Sequence, residues 1–185
     1  MAKAVNEIVM ERAKRVICLL PARTDTAWWH RYVPVSYTHL DVYKRQPLTP
    51  DCVLDAAHIS GMPVAALFAI LATEGGKTGE ALSNRNGTWD IGPFQVNTIH
   101  LNELAAMGIA PDAVLRDGRI NAYAAAWLLR KEYQRTGSLW QAIGAYHSRT
   151  PHRRDAYIRR VQANLERLSR EGIFTLSVLE REAGQ

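Results

Sequence analysis

From residue 47 onward, apolar positions recur at helical spacing and are interrupted where helix-stopping residues stand. "TPDCVLDAAHIS" offers Thr49 or Asp51 as N-cap, an apolar stripe behind it and Gly61 as stop. "MPVAALFAILAT" places Pro63 at a first turn and runs on, almost wholly apolar, to Gly75-Gly76, which predicts a buried helix. "NTIHLNELAAMG", "DGRINAYAAAWLLRKEYQRTG", "SLWQAIGAYHS" and "PHRRDAYIRRVQANLERLSREG" predict four more helices, the last long and amphipathic. Between the second and third runs lies "NRNGTWDIGPFQVN", Asn84 to Asn97, whose turn formers and amides predict a loop or short strands. Trp127, Leu128, Leu129 and Trp140 fall on core positions of this pattern.

The first 46 residues break the series. "RVICLLP" reads as a buried strand and "DTAWWHRYV" as a short aromatic helix, and neither has a partner downstream. With 185 residues, 47% of them hydrophobic, the chain can bury one real core and carry extensions. The net charge of +5 changes the picture only through its placement. Residues 1–46 hold eight basic against four acidic side chains, and the remaining 139 residues hold fifteen against fourteen. The helical part is therefore nearly neutral, and no nucleic-acid partner is expected for it. No apolar window is long enough for a membrane-spanning helix, and the start has no signal-peptide pattern. Cys18 and Cys52 are too few for a disulfide framework or a metal site, so both read as structural and no cofactor or metal is expected.

"RVICLLPARTDTAWWHRYV", Arg15 to Val33, resembles a piece of the phage-type DNA adenine methyltransferases without their substrate-site motif. "PVSYTHLDVYKRQ", Pro34 to Gln46, resembles a recurrent artefact segment of translated metagenomic assemblies. The expected organisation is a foreign or disordered extension over 1–46, unrelated to a single domain over 47–185. A fragment as short as 15–33 cannot form a cofactor-binding domain, which excludes methylation. The missing export signal is expected to reflect a replaced start.

Glu74 ends the apolar run, where an alanine or leucine would have continued it. A carboxylic acid there is half withdrawn from water, which disfavours its charged form and raises its pKa, as a general acid near neutral pH requires. Gly75 and Gly76 put no side chains over it, so a polymer can approach. The bland alternative is a solvated helix-end acid, although the helix dipole opposes an acid at a C-terminus. Asp90, Gln95 and Asn97 follow in an amide-rich segment of the kind that grips sugar hydroxyls and N-acetyl groups. Trp89, in the same segment, is a candidate to stack on a sugar face.

These motifs resemble the soluble lytic transglycosylases of the lysozyme-like superfamily, most closely those associated with conjugation and type IV secretion. Glu74-Gly75-Gly76 matches that family's helix-ending acid, Gly92-Pro93-Phe94-Gln95-Val96 its Gly-aliphatic-Met/Phe-Gln element, and "AIGAYHS", Ala142 to Ser148, its later Ala-Tyr element. The resemblance covers roughly residues 50 to 165. It implies a mainly helical, lysozyme-like fold of α+β derivation with a cleft. It also implies Glu74 as catalytic acid and base, Gln95 as a cleft residue and Tyr146 as the tyrosine near the acid. Pro93 departs from the usual aliphatic residue. His147-Ser148 departs from the wider family's Asn-Ala, although Tyr146-His147-Ser148 resembles the conjugation-associated branch, and His147 is expected to be a cleft residue rather than a base. The run Arg149, Arg153, Arg154, Arg159, Arg160 reads as a solvated face or as an attractor of stem-peptide carboxylates.

The implied reaction is cleavage of the MurNAc-GlcNAc β-1,4 bond of peptidoglycan with a 1,6-anhydromuramic end, outside the cytoplasm, locally opening the wall for conjugation or secretion apparatus proteins. Two alternatives stay open. Asp90, sixteen positions after Glu74, matches the place of a lysozyme's second carboxylate, and the pair would make a hydrolase. The third reading is a non-catalytic wall-binding assembly protein, against which the intact Glu74 argues.

Overall fold

The computed structural model describes residues 45–173; the strand and helix expected within residues 1–44 lie outside the described residues. Helix α1 (Pro50–Ser60) begins with proline at its first position and ends at Gly61, and its N-cap is Thr49 rather than Asp51. Thr49 holds an extended backbone, but its hydroxyl contacts the Cys52 thiol at 3.2 Å and does not cap an amide. Cys52 is buried and unpaired. Helix α2 (Val64–Glu74) follows and buries Leu67 and Ile70 completely, each worth about 1.5–3 kcal/mol.

A three-stranded antiparallel sheet comes next: β1 (Ala81–Ser83), β2 (Trp89–Ile91) and β3 (Val96–Asn97). Its register pairs Leu82 with Asp90 and Asp90 with Asn97. Because side chains alternate across a strand, these three share one face, while Trp89 and Ile91 point to the other.

The helix expected over 97–108 is in fact two pieces, a 3-10 turn (Thr98–His100) and α3 (Leu101–Ala106). Asn97 is the reason: its side-chain oxygen accepts from the Ile99 amide and caps the turn. A six-residue helix that the apolar pattern does not resolve, α4 (Pro111–Arg116), precedes the central helix α5 (Gly118–Thr136). Asp117 caps α5 through its carboxylate, which accepts from the Arg119 and Ile120 amides. Then come α6 (Leu139–His147), capped by Ser138, and the amphipathic α7 (Pro151–Arg170).

The core is organised around α5. Its Ala122, Ala124, Ala125 and Leu129 are fully buried, and it packs against α1, α4 and α6, while α7 closes over α2 and α6. Leu128 is buried, and Trp127 and Trp140 are partly buried against this core. Small side chains on α5 let the neighbouring helices approach closely, so the domain is mainly helical with one small sheet beside the acid-bearing end of α2. Gln46 bonds to this body through its amide, which donates to the Arg116 carbonyl, and its carbonyl, which accepts from Gly118. Among the described residues no helix is long and apolar enough to cross a membrane.

Candidate active site

Glu74 is the last residue of α2, and Gly75 turns the chain with a left-handed backbone, its amide donating to the Leu71 carbonyl. A side chain at 75 would meet open space, so the approach above the acid is clear. Gly76 is constrained in the opposite way. Its amide donates to the Pro93 carbonyl, and a β-carbon there would collide with the Gly92 carbonyl and the Gln95 side chain. The two glycines thus do separate jobs, one ending the helix and one letting the Gly92–Gln95 turn lie against it.

That turn holds Gln95 in a left-handed conformation at φ 49°, which costs a non-glycine residue about 1–2 kcal/mol. The Gln95 side chain folds back, Nε2 donating to the Gly92 carbonyl at 2.9 Å. Beneath it, Asn121 of α5 is fully buried. Its Oδ1 accepts from the Phe94 amide, and its Nδ2 donates to the carbonyls of Ile91 and Val114. One amide side chain therefore fastens the turn, the sheet and α4 to the central helix.

The cleft encloses about 810 Å³ and runs past Glu74, Asp90, Gln95, Asn97, Tyr146 and His147. Trp89 stands apart from the others singled out in the sequence. It is 48% exposed, lies on the sheet face opposite Asp90, and does not line the cleft.

Glu74 Oε1 accepts a 2.5 Å hydrogen bond from the Tyr157 hydroxyl, and Oε2 has no hydrogen-bond partner among the described residues. Burial pushes the Glu74 pKa up. The Tyr157 bond and the Arg160 charge oppose that, the Asp90 charge reinforces it, and the net result is a raised pKa. Tyr157 is 1% exposed and stacks on the His147 ring, centroids 4.6 Å apart and planes 3° from parallel. Burial, then the nearby Glu74, hold the Tyr157 hydroxyl well above its usual pKa, so it stays a donor. The Tyr146 hydroxyl donates to the Phe94 carbonyl at 2.8 Å. His147, exposed and with its pKa lowered by burial of the ring and by Arg160, forms no hydrogen bond with Glu74 and is a wall of the cleft.

Asp90 is differently placed. Its Oδ2 accepts from Asn84 at 2.9 Å and its Oδ1 from Asn97 at 2.7 Å. Both amides also reach the Thr88 hydroxyl, so the hairpin closes on the carboxylate. Among the acids lining the cleft, Glu132 likewise has both oxygens occupied, by Arg149 and Arg135. Among the described residues, Glu74 alone of the three keeps an oxygen without a partner. Among the described residues no group of three or more His, Cys, Asp or Glu side chains is arranged to hold a metal ion.

Sequence reasoning did not single out Tyr157, Asn121, Asn84 or Glu132. The arginine run divides on folding. Arg160 donates to the Thr73 carbonyl and Arg154 pairs with Asp155, whereas Arg149, paired with Glu132, and Arg153 line the cleft.

Residues 51–166 match the family model described as "Transglycosylase SLT domain". The chain is 32% identical to the "Invasion protein IagB" of Salmonella typhimurium over 123 residues, which cover 64% of this chain and 77% of that one. It is 32% identical over 101 residues to "Protein IpgF" of Shigella flexneri, covering 54% and 66% of the two chains. Over 57 residues it is 39% identical to "X polypeptide" of Escherichia coli, covering 31% and 34%.

Proposed function

Since this chain belongs to the transglycosylase SLT domain family, we propose that it cuts the MurNAc-GlcNAc β-1,4 bond of peptidoglycan with Glu74 as the single acid and base, leaving a 1,6-anhydromuramoyl end. The family implies lytic transglycosylase activity on peptidoglycan, and hence work outside the cytoplasmic membrane. The observation that carries the finer reading is the contrast between the cleft's acids. Glu74 has a raised pKa and an unoccupied oxygen, and Asp90 has both oxygens engaged by amides.

In the proposed reaction the protonated Glu74 gives its proton from Oε2 to the glycosidic oxygen, and the GlcNAc side departs as its 4-hydroxyl. Positive charge grows at C1 of MurNAc, where the substrate's own N-acetyl oxygen supports it. The Glu74 carboxylate then takes the proton of the MurNAc 6-hydroxyl as that oxygen bonds to C1. No water is consumed. Tyr157 steadies the carboxyl through Oε1 in both states, Gln95 offers the rest of its amide to the sugar, Asn97 keeps the hairpin closed on Asp90, and Tyr146 anchors the Phe94–Gln95 turn.

Residues 47–185 would form the lytic domain and 1–46 an unrelated extension. Local wall opening for a conjugation or secretion apparatus is the wider role we assign, on the Tyr146-His147-Ser148 element. Release of labelled fragments from purified sacculi, compared between the wild type and Glu74→Gln, tests the assignment. An amide cannot give and retake the proton, so release should fall by at least about a thousandfold with the fold intact.

A further inference from the structure

The glycan backbone of peptidoglycan is uncharged apart from what its lactyl groups carry, yet the cleft is lined by Arg85, Lys131, Arg149 and Arg153. Lys131 is held by Glu103 at 2.6 Å, and Arg85 stands on the hairpin turn. Arg149 and Arg153 come from one short stretch, directly after the Tyr146-His147-Ser148 element and into the first turn of α7.

Arg149 is exposed at 62% but not free to wander. Its Nη2 donates to Glu132 Oε1 at 2.6 Å, and the Glu132 side chain, only 10% exposed, takes Arg135 on its other oxygen at 2.7 Å. Burial pushes the Glu132 carboxyl up, but the hydrogen bonds from Arg149 and Arg135 outweigh it and leave the group below its ordinary value. A buried acid kept ionised by two arginines is an expensive way to gain stability, and apolar packing would serve as well. What it provides is a fixed guanidinium on the cleft wall, with four N–H donors left over. Arg153, four residues on, is exposed and makes no hydrogen bond or ion pair with any described residue. A planar guanidinium suits a carboxylate, and a sugar hydroxyl gives it no countercharge.

We propose that Arg149 and Arg153 form a carboxylate-reading subsite that binds the acidic stem peptide of peptidoglycan, with Glu132 as the residue that positions Arg149. The inference rests on peptidoglycan as the substrate. It makes the protein selective for peptide-bearing strands over bare glycan.

The full chain carrying Glu74→Gln, which isolates binding from turnover, is titrated calorimetrically with two probes. One is un-cross-linked glycan strands with their stem peptides; the other is the same strands stripped by an amidase, with the lactyl carboxylates this exposes capped as methylamides. The peptide-bearing strands should bind about tenfold tighter at low salt, and the preference should shrink at 0.5 M salt, near a Debye length of ~4 Å. Arg153→Gln and Arg149→Gln should each lower the ratio, and together bring it close to one. Arg149→Lys should keep part of it, and Glu132→Gln should lower it without adding to Arg149→Gln, a non-additivity that a merely structural role would not give. Arg153 has no hydrogen-bond or ion-pair partner among the described residues, so its variant tests the subsite even if the Glu132 variant folds poorly. Equal affinity for the two probes, or a ratio untouched in Arg153→Gln and Arg149→Gln, overturns the inference. Failure of the wild type to cut either strand would instead count against the proposed reaction and leave the ratio standing.

Discussion

The Tyr157 hydroxyl donates to Glu74 Oε1 at 2.5 Å, joining two residues 83 positions apart on helices that pack face to face. The bond favours the ionised carboxyl while burial favours the protonated one, and burial wins. Tyr157→Phe removes the opposing influence, so the Glu74 pKa should climb further. The alkaline limb of the activity profile should move to higher pH, and turnover at the optimum should fall about tenfold as the carboxyl loses its fixed orientation. A pH–rate series on labelled sacculi reads both effects.

A raised folded-state pKa also sets a stability signature. The folded chain holds the Glu74 proton more tightly than the unfolded chain, so this contribution is fully present below the unfolded value of about 4.5 and lost as pH rises through the folded value. Above the folded value the half-buried group is ionised and costs stability that an amide does not. The melting temperature of Glu74→Gln should therefore gain on that of the wild type as pH rises through the folded value, and the gap should close as pH is lowered to 4. Thermal melts across that range supply the check.

Asp90 accepts from Asn84 and Asn97 at once, and Asp90→Asn sets an amide donor against one of those donors. The hairpin should loosen and turnover drop by less than about tenfold. A hydrolase that uses this carboxylate as nucleophile would lose roughly a thousandfold or more. Steady-state rates of the variant discriminate the two.

Asn121→Ala strips three hydrogen bonds, to the Phe94 amide and to the Ile91 and Val114 carbonyls, from a fully buried position. Loss of about 3 kcal/mol is expected, a fall in Tm of roughly 10 °C. Activity should fall as well, because the turn carrying Gln95 is tied down through this amide. Urea unfolding and sacculus digestion measure the two separately.

What the sequence discloses and what it hides follow the range of the interactions. Helix starts at Asp117 and Ser138 and stops at Gly61 and Gly137 are settled within four residues, so the local pattern shows them. Glu74 is legible because an acid interrupts an apolar run just before two glycines. Tyr157 looks like one more apolar position on an amphipathic helix, and its polar partner lies 83 residues away. Asn121 sits amid the alanines of α5, where only its being a lone amide on a buried face hints at a role. Trp89 shows the opposite failure: its place in the loop is legible, but which face of the strand it takes depends on register. The sequence also offers two acids, Glu74 and Asp90, without saying that the hairpin amides engage only the second.

The central claim is that Glu74 works alone and that the substrate's own 6-hydroxyl, not water, closes the reaction. Digestion of purified peptidoglycan in oxygen-18 water, followed by mass spectrometry of the fragments, tests it most directly. The account predicts fragments ending in 1,6-anhydromuramic acid, lighter by one water than hydrolysed ends and free of label, and none from Glu74→Gln. Reducing ends carrying oxygen-18, with turnover abolished in Asp90→Asn, would contradict it and establish a two-carboxylate hydrolase.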